Sequence, residues 1–133
     1  MKLWIDDIRP APDGYTWCKS VNEAKHKIIS LEKQIEYIEK KADEAFKNFH
    51  IIQFRQIRRL DMNREIELID IDHDAGSYVD DGGDYIKLLD WLEETGRNYP
   101  IRIHSMNPVG IENMKRIIER NGWEEIRQNE SKN

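Results

Sequence analysis

Three short polar segments of the sequence carry the residue types of a reactive or ligand-binding site. They are Asp6-Asp7-Ile8-Arg9, Asp72-His73-Asp74 and His104-Ser105-Met106-Asn107. Their aspartates supply the oxygen ligands that Mg²⁺ prefers, and they also accept hydrogen bonds from ribose hydroxyls. His73 and His104 are suited to act as an acid–base pair on a phosphodiester, or to orient a loop as neutral hydrogen-bonding residues.

Basic and aromatic residues near these segments extend the candidate site. Arg9 and Arg116 are able to hold phosphate oxygens in a bidentate manner, and residues 107–110 offer backbone N–H groups at the start of a predicted helix. Tyr78 lies in a loop, 76–83, that is our candidate lid. The predicted ligand-binding residues are Arg9, Asp72, His73, Asp74, Tyr78, His104, Ser105, Asn107 and Arg116.

A second group of basic residues lies in the middle of the chain. We predict a second anion site where subunits meet, formed by Arg55, Arg58 and Arg59. The alternative is that these arginines lie on a solvated helix face. The segment 19–62 holds 10 Lys/Arg against 7 Asp/Glu, a balance of +3, whereas the whole chain carries a net charge of −5. This acidic balance argues against binding of long nucleic acid.

Length and composition predict a single domain over residues 1–133. Hydrophobic residues make up 38% of the chain, enough for a modest core, and the apolar runs are too short to cross a membrane. The start lacks the apolar stretch of a signal peptide, so we expect a cytosolic protein. The one cysteine, Cys18, excludes an intramolecular disulfide, and we expect it to be a buried structural thiol. No P-loop, GxGxxG, CxxC or GxSxG motif is present.

The elements that must position these residues alternate along the chain. The pattern predicts strands over 2–6, 16–18, 66–72, 100–104 and 123–127, and helices from Ser20, over 85–95 with Asp84 as its cap, and from Asn107-Pro108 to Asn121-Gly122. This alternation predicts a three-layer α/β fold with a mainly parallel sheet. The three polar segments then meet at the carboxyl edge of the sheet, where such folds bind ligands.

The helix that opens at Ser20 carries the clearest periodicity. Apolar residues recur at alternating spacings of three and four in a heptad seam: Val21, Ala24, Ile28, Leu31, Ile35, Ile38, Ala42, Ala45, Phe49 and Ile52. A straight helix of about 32 residues would be roughly 48 Å long, too long for a compact domain of this size. The segment 20–62 is therefore predicted to fold back near residues 48–50 as a helical hairpin, to assemble with another chain, or both.

Three blocks of the sequence resemble a known family. They are Lys-Leu-Trp-Ile-Asp-Asp-Ile-Arg-Pro-Ala-Pro-Asp-Gly-Tyr (2–15), Ile-Asp-His-Asp-Ala-Gly (71–76) and Pro-Ile-Arg-Ile-His-Ser-Met-Asn-Pro-Val-Gly (100–110). They are similar to the cyclic-phosphate-processing receiver-like domains. This resemblance implies a small receiver-like sheet flanked by helices, with the long helix or hairpin inserted for oligomerisation.

Within that family the chain looks most like the phage proteins of the first Thoeris anti-defence family. That resemblance implies a sponge in the cytoplasm of an infected bacterial host. Such a protein sequesters cyclic ADP-ribose isomers (gcADPR type) made by TIR-domain immune proteins and does not degrade them. It also implies a homo-oligomer, dimeric or hexameric, that binds cyclic di- or trinucleotides as well. Such a protein needs no catalytic residue, metal or cofactor.

Two other functions remain open from the residues alone. One is a phosphodiesterase-like enzyme that opens a cyclic phosphate with His73 and His104. The other is a phosphorylated receiver in which Asp72 or Asp74 accepts the phosphoryl group. A sponge needs most of its ligand covered, so we expect the 76–83 loop or a neighbouring subunit to close over the pocket.

Overall fold

The computed structural model describes residues 1–48 and 50–127, apart from the side chains of Ile51, Arg58 and residues 60–64. It contains four strands and four α-helices in an alternating order close to the predicted one. The strands are β1 (Lys2–Ile5), β2 (Tyr15–Cys18), β3 (Leu68–Ile71) and β4 (Ile101–Ile103). The helices are α1 (Val21–Lys47), α2 (Ile51–Arg64), α3 (Ile86–Glu94) and α4 (Pro108–Asn121), with a short 3₁₀ turn at Gly76–Tyr78.

The strands form one parallel sheet in the order β2-β1-β3-β4. This confirms the predicted α/β class and its parallel sheet. The predicted strand over 123–127 is reduced to a single bridge, between Glu125 and Ile101. Trp123 and Ile126 are nevertheless buried, because this segment runs along the edge of β4 and covers it.

The helices that pack on the sheet share one of its faces. Buried residues of α1, α3 and α4 form one cluster with the side chains of alternate strand residues Leu3, Ile5, Ile69, Ile71, Ile101 and Ile103. The chain passes from β2 to β3, from β3 to β4, and from β4 to the bridge at Glu125, and each connection moves in the same direction across the sheet. Right-handed connections that move in one direction place their helices on one face of the sheet. The predicted three-layer arrangement is therefore wrong for the described residues. The connection from β1 to β2, which would supply the other layer, is the loop 6–14.

Helices α1 and α2 form the predicted hairpin. The chain leaves α1 after Lys47 and re-enters helix at Ile51. The first part of the heptad seam, Val21 to Leu31, packs on the sheet, whereas Ile38, Ala42 and Ala45 are buried in the hairpin beyond it. Phe46 contacts Phe54 across the hairpin with a centroid distance of 5.5 Å. The seam does not continue to Ile52, which is 75% exposed, and its predicted member Phe49 lies outside the described residues.

Local capping explains where the helices begin and end. Ser20 Oγ accepts a hydrogen bond from Glu23 N (3.0 Å), and the Glu23 carboxylate accepts one from Lys19 N. Ser20 therefore caps α1 in a capping box whose second bond is shifted by one residue, and the helix opens where predicted. Asn107 caps α4 ahead of Pro108, as predicted. Asp84 does not cap α3, because its carboxylate accepts a hydrogen bond from Ala75 N instead. Among the described helices, none has both the length and the apolar character needed to cross a bilayer.

Candidate functional site

Three carboxylates meet at the carboxyl edge of the sheet. Asp6 and Asp7 follow β1 and Asp72 follows β3, and each offers an oxygen within 4.8 Å of the others. These three residues have the geometry to hold a divalent cation. Asp74, which the sequence also suggested as a carboxylate ligand, is not part of this group and its side chain is 62% exposed.

Asp6 is fixed by four groups and is almost fully buried. Its Oδ1 accepts hydrogen bonds from the backbone N–H groups of Ile8 (3.0 Å) and Arg9 (2.9 Å), and its Oδ2 accepts one from His104 Nε2 (2.9 Å). The guanidinium of Arg9 lies 3.8 Å from the same Oδ2. Burial alone would raise the pKa of Asp6, but the two N–H groups and His104 outweigh it and hold the pKa below its usual value.

His104 bridges two buried carboxylates. Its Nδ1 lies 2.6 Å from Asp70 Oδ1, opposite the Nε2 bond to Asp6. Both ring nitrogens are therefore engaged by carboxylate oxygens, and neither is left for a further partner. Asp70 also contacts Arg102 Nη1 at 3.4 Å. The four residues Asp6, Asp70, Arg102 and His104 thus form one hydrogen-bonded and ionic network behind the acidic edge.

Trp4 covers this buried network. Its indole is stacked on the His104 imidazole, and its Nε1–H donates to the carbonyl oxygen of Arg9 (2.8 Å). Trp4 itself is half-buried and lies on the sheet face opposite the helices.

Asp7 is the carboxylate that is least compensated. Burial and the negative charges of Asp6 and Asp72 raise its pKa above the ordinary value. Its Oδ2 lies only 2.2 Å from the position that a Cβ on Gly76 would occupy, which is too close for a side chain there. Gly76 also has a φ of +56°, so this close approach needs glycine for both space and backbone conformation.

His73 forms a separate group on the other side of the edge. Its Nδ1 donates to Asp74 Oδ1 (2.8 Å), and the amide of Asn107 lies 3.5 Å from the same oxygen. The ring packs on Gly110, where an added Cβ would stand 2.4 Å from His73 Cγ. With Nδ1 committed to Asp74, Nε2 is the nitrogen left for another partner. His73 and His104 therefore lie in different hydrogen-bonded groups, and their action as an acid–base pair stays a prediction.

The start of α4 offers less to an anion than its sequence suggested. Pro108 has no N–H, Gly110 N donates to the Asn107 side chain (3.0 Å), and Asn107 N donates to Ser105 Oγ (3.1 Å). Ser105 and Asn107 thus shape this turn. The predicted phosphate site at residues 107–110 is largely occupied by the protein's own capping bonds.

The loop that holds Tyr78 is fastened to the start of α1. Asp81 accepts hydrogen bonds from Ser20 Oγ (2.5 Å) and Asn22 Nδ2 (3.1 Å), and its carbonyl accepts from Asn22 N. Tyr78 ends the 3₁₀ turn and packs against the core. Closure of 76–83 as a lid would have to break these bonds, and its role as a lid stays a prediction.

The remaining predicted arginines lie away from the acidic group. Arg116 is exposed on α4, about 12 Å along the helix from Pro108, and it contacts Glu112 and Asn113. Arg55 and Arg59 are exposed on α2, and the Arg58 side chain lies outside the described residues. Among the predicted arginines whose side chains the structure describes, Arg9 alone contacts the acidic group.

Sequence reasoning missed Asp70 and the two glycines as site residues. Asp70 carried a detectable signal, because it is a charged residue between two isoleucines in the middle of an apolar strand. Gly76 and Gly110 carried a weaker one, since each lies within a block of the family resemblance. The role of either glycine depends on a close contact that only the folded chain reveals.

A comparison with protein-family models finds one match that covers most of the chain. The model of the Cyclic-phosphate processing Receiver domain matches residues 1–120. The chain belongs to this family. No match was found among curated proteins or among solved structures. In this member of the Cyclic-phosphate processing Receiver domain family, the matched region includes the three polar segments and the α1–α2 hairpin.

Proposed function

We propose that this chain binds cyclic ADP-ribose isomers of the gcADPR type, made by TIR-domain immune proteins, and sequesters them without degradation, so blocking Thoeris immunity. The family and the resemblance of its three blocks support the ligand class. One structural observation supports binding over turnover: His104 has both ring nitrogens bonded to buried carboxylates.

That observation weakens the two-histidine mechanism. A general base must present a free nitrogen lone pair to the substrate, and both ring nitrogens of His104 are already engaged by buried carboxylates. Taking His104 out of the bridge would also leave Asp6 and Asp70 buried without their shared partner, which is costly. His104 is therefore a structural residue in this proposal, and the ligand contacts fall to Arg9, His73, Asp74 and Asn107.

The edge of the sheet carries more negative than positive charge, so in this proposal an anionic ligand needs cations from a second copy. The negative charges are those of Asp7, Asp72 and Asp74, and the predicted cation beside them is Arg9. A nanomolar affinity corresponds to about −12 kcal/mol, which this edge does not supply alone for a pyrophosphate. In this proposal a second copy brings Arg55 and Arg59 of its hairpin to the ligand. The copies pair through exposed apolar residues of the hairpin, Phe46 and Ile52.

A release assay tests the proposal. The purified protein is incubated with cyclic ADP-ribose isomers, freed of unbound ligand and heat-denatured, and the released nucleotide is identified by mass spectrometry. Intact ligand near one per subunit supports sequestration, whereas a linear product contradicts it. Loss of retention in Arg55→Glu/Arg59→Glu, with retention kept in the matched double variant Lys40→Glu/Lys41→Glu, supports the contribution of the second copy.

The His73–Asp74 pair favours a second candidate function. An imidazole whose Nδ1–H is held by a carboxylate presents Nε2 as a base, which is the arrangement needed to activate water or a ribose hydroxyl. A phosphodiesterase-like enzyme that opens a cyclic phosphate would use His73 in this way. Turnover with substrate in excess, lost in His73→Ala, would support this function over sequestration.

A further inference from the structure

Strand β2 leaves one side of its backbone open. It is the last strand of the sheet, and no other strand of the described ranges 1–48 and 50–127 pairs with its outer side. Cys18 O accepts a hydrogen bond from Asp6 N (3.2 Å), so the backbone groups of Cys18 point toward β1. Because these groups alternate along a strand, the N–H and C=O of Trp17 point outward, where an added strand would pair.

A groove runs between this edge and α1. Its first part has a volume of about 380 Å³ and is lined by Thr16, Trp17, Cys18, Glu23, His26, Lys27 and Ser30. A second part, about 720 Å³, shares His26 and Ser30 and continues along α1 to Ile29, Lys33, Tyr37 and Ile38. A groove between an edge strand and a helix is the shape that binds extended peptides by strand addition, and we name these residues the β2 edge groove.

The β2 edge groove is locally basic in an acidic protein. Lys27 and Lys33 line it, and the ammonium of Lys19 lies over the Trp17 ring at 4.6 Å. The acidic residue of the lining, Glu23, is engaged with Lys19 N through its carboxylate. The far end is apolar, with Ile29 and Tyr37. The complementary ligand is thus acidic beside β2 and apolar beyond it.

We propose that the β2 edge groove binds an extended acidic peptide segment of another protein, which adds to the sheet beside β2. Backbone hydrogen bonds to Trp17 would align the segment, carboxylates would meet Lys27 and Lys33, and apolar residues would cover Ile29 and Tyr37. A second copy of this chain is a poorer occupant. A two-fold pairing of α1 helices centred on Ser30 would set Lys27 of one copy against Lys33 of the other.

The test uses a fluorescein-labelled heptapeptide with alternating valine and glutamate and two leucines at its end. Binding to the full chain is followed by fluorescence anisotropy. We expect saturable binding that weakens by about tenfold or more in Lys27→Glu/Lys33→Glu and is unchanged in Lys40→Glu/Lys47→Glu, which alters the same charge on exposed residues of α1 outside the groove. A peptide with lysine for glutamate should not bind.

Strand pairing is tested on the peptide rather than on the protein. N-methylation of alternate peptide amides removes donors without changing side-chain charge, and one of the two alternate sets should weaken binding by about tenfold. Equal affinity of both methylated sets and the parent peptide would overturn the proposal. So would no binding, equal affinity in both double variants, or sedimentation showing that a second copy occupies the edge at the concentrations used.

Discussion

The imidazole of His104 lies flat on the indole of Trp4, with ring centroids 3.7 Å apart and 4° between the ring planes. Trp4 lies within β1 and His104 directly follows β4, and Asp70 of the intervening strand β3 bonds the same imidazole. An imidazole that is stacked on an aromatic ring and bonded by two carboxylates is held at one ring face and at both nitrogens. This packing is why we treat His104 as structural.

Replacing His104 should therefore destabilise the protein strongly. In His104→Ala, Asp6 and Asp70 remain buried without their shared partner, and we expect a loss of about 3–5 kcal/mol in the free energy of unfolding. Urea denaturation followed by circular dichroism measures it. His26→Ala, on the exposed side of α1, is the control and should change stability by no more than about 0.5 kcal/mol. A loss below about 1 kcal/mol for His104→Ala would contradict the buried bridge.

Asp6 should make the protein sensitive to acid. Its pKa is lowered in the folded state, so the stability it contributes is present above the unfolded value of 3.8 and is lost as the pH falls through the folded value. Urea midpoints measured from pH 6 to pH 3 should fall more steeply for the native chain than for Asp6→Asn. Parallel curves for the two proteins would show that Asp6 is not stabilised in its ionised form.

Asp7 should behave in the opposite way. Its pKa is raised by burial and by the charges of Asp6 and Asp72, so its ionisation opposes folding as the pH rises. Asp7→Asn should raise the thermal midpoint at pH 7 by about 2–5 °C, and the gain should shrink near pH 4. Asp13→Asn, on an exposed loop, is the control. A lower midpoint at pH 7 would mean that Asp7 makes stabilising contacts in its charged form.

Gly110→Ala should move His73. The new Cβ would stand 2.4 Å from His73 Cγ, so the ring must leave its place beside Asp74. Although alanine favours a helix by about 1 kcal/mol over glycine, we expect a net loss of about 1–3 kcal/mol from overpacking. The imidazole NMR signals of His73 should shift while those of His104 stay in place. Val109→Ala, on the exposed start of α4, should shift neither histidine.

Cys18 should be unreactive in the folded protein. Its thiol is buried, and burial raises its pKa to about 12, so almost no thiolate forms at neutral pH. A thiol reagent such as DTNB should label the chain only after urea is added, with a labelling midpoint that matches unfolding. Rapid labelling of the native protein at pH 8 would show that the thiol reaches solvent through the groove beside α1.

Much of the fold follows from local patterns in the sequence. The heptad seam, the Ser20 capping box and the Asn107-Pro108 start fix α1 and α4, and alternating apolar residues mark β3 and β4. The sequence also brings the polar segments to one edge, because parallel strands share their carboxyl side. These features depend on neighbours close in the chain, which is why periodicity and caps reveal them.

The candidate site was less predictable, because its details depend on distant contacts. Asp70 and Asp6 are joined through His104, and His73 needs the missing side chain of Gly110. The sequence also did not reveal that residues 1–48 and 50–127 supply no second helical layer, since this follows from the direction in which successive crossovers move across the sheet. Anion binding at the start of α4 stays a prediction, and the sequence did not reveal that Ser105 and Asn107 accept hydrogen bonds from two N–H groups of that turn.

The position of the hairpin between β2 and β3 has a consequence for synthesis on the ribosome. Strand β1 lies between β2 and β3, and β3 begins at Leu68, fifty residues after Cys18. At about 5–20 residues per second, the nascent chain spends roughly 3–10 s with one edge of β1 unpaired. The hairpin needs only local contacts and is able to fold during that interval. A ribosome that stalls before residue 68 would therefore present a folded hairpin joined to an open, apolar β1, which is a target for chaperones.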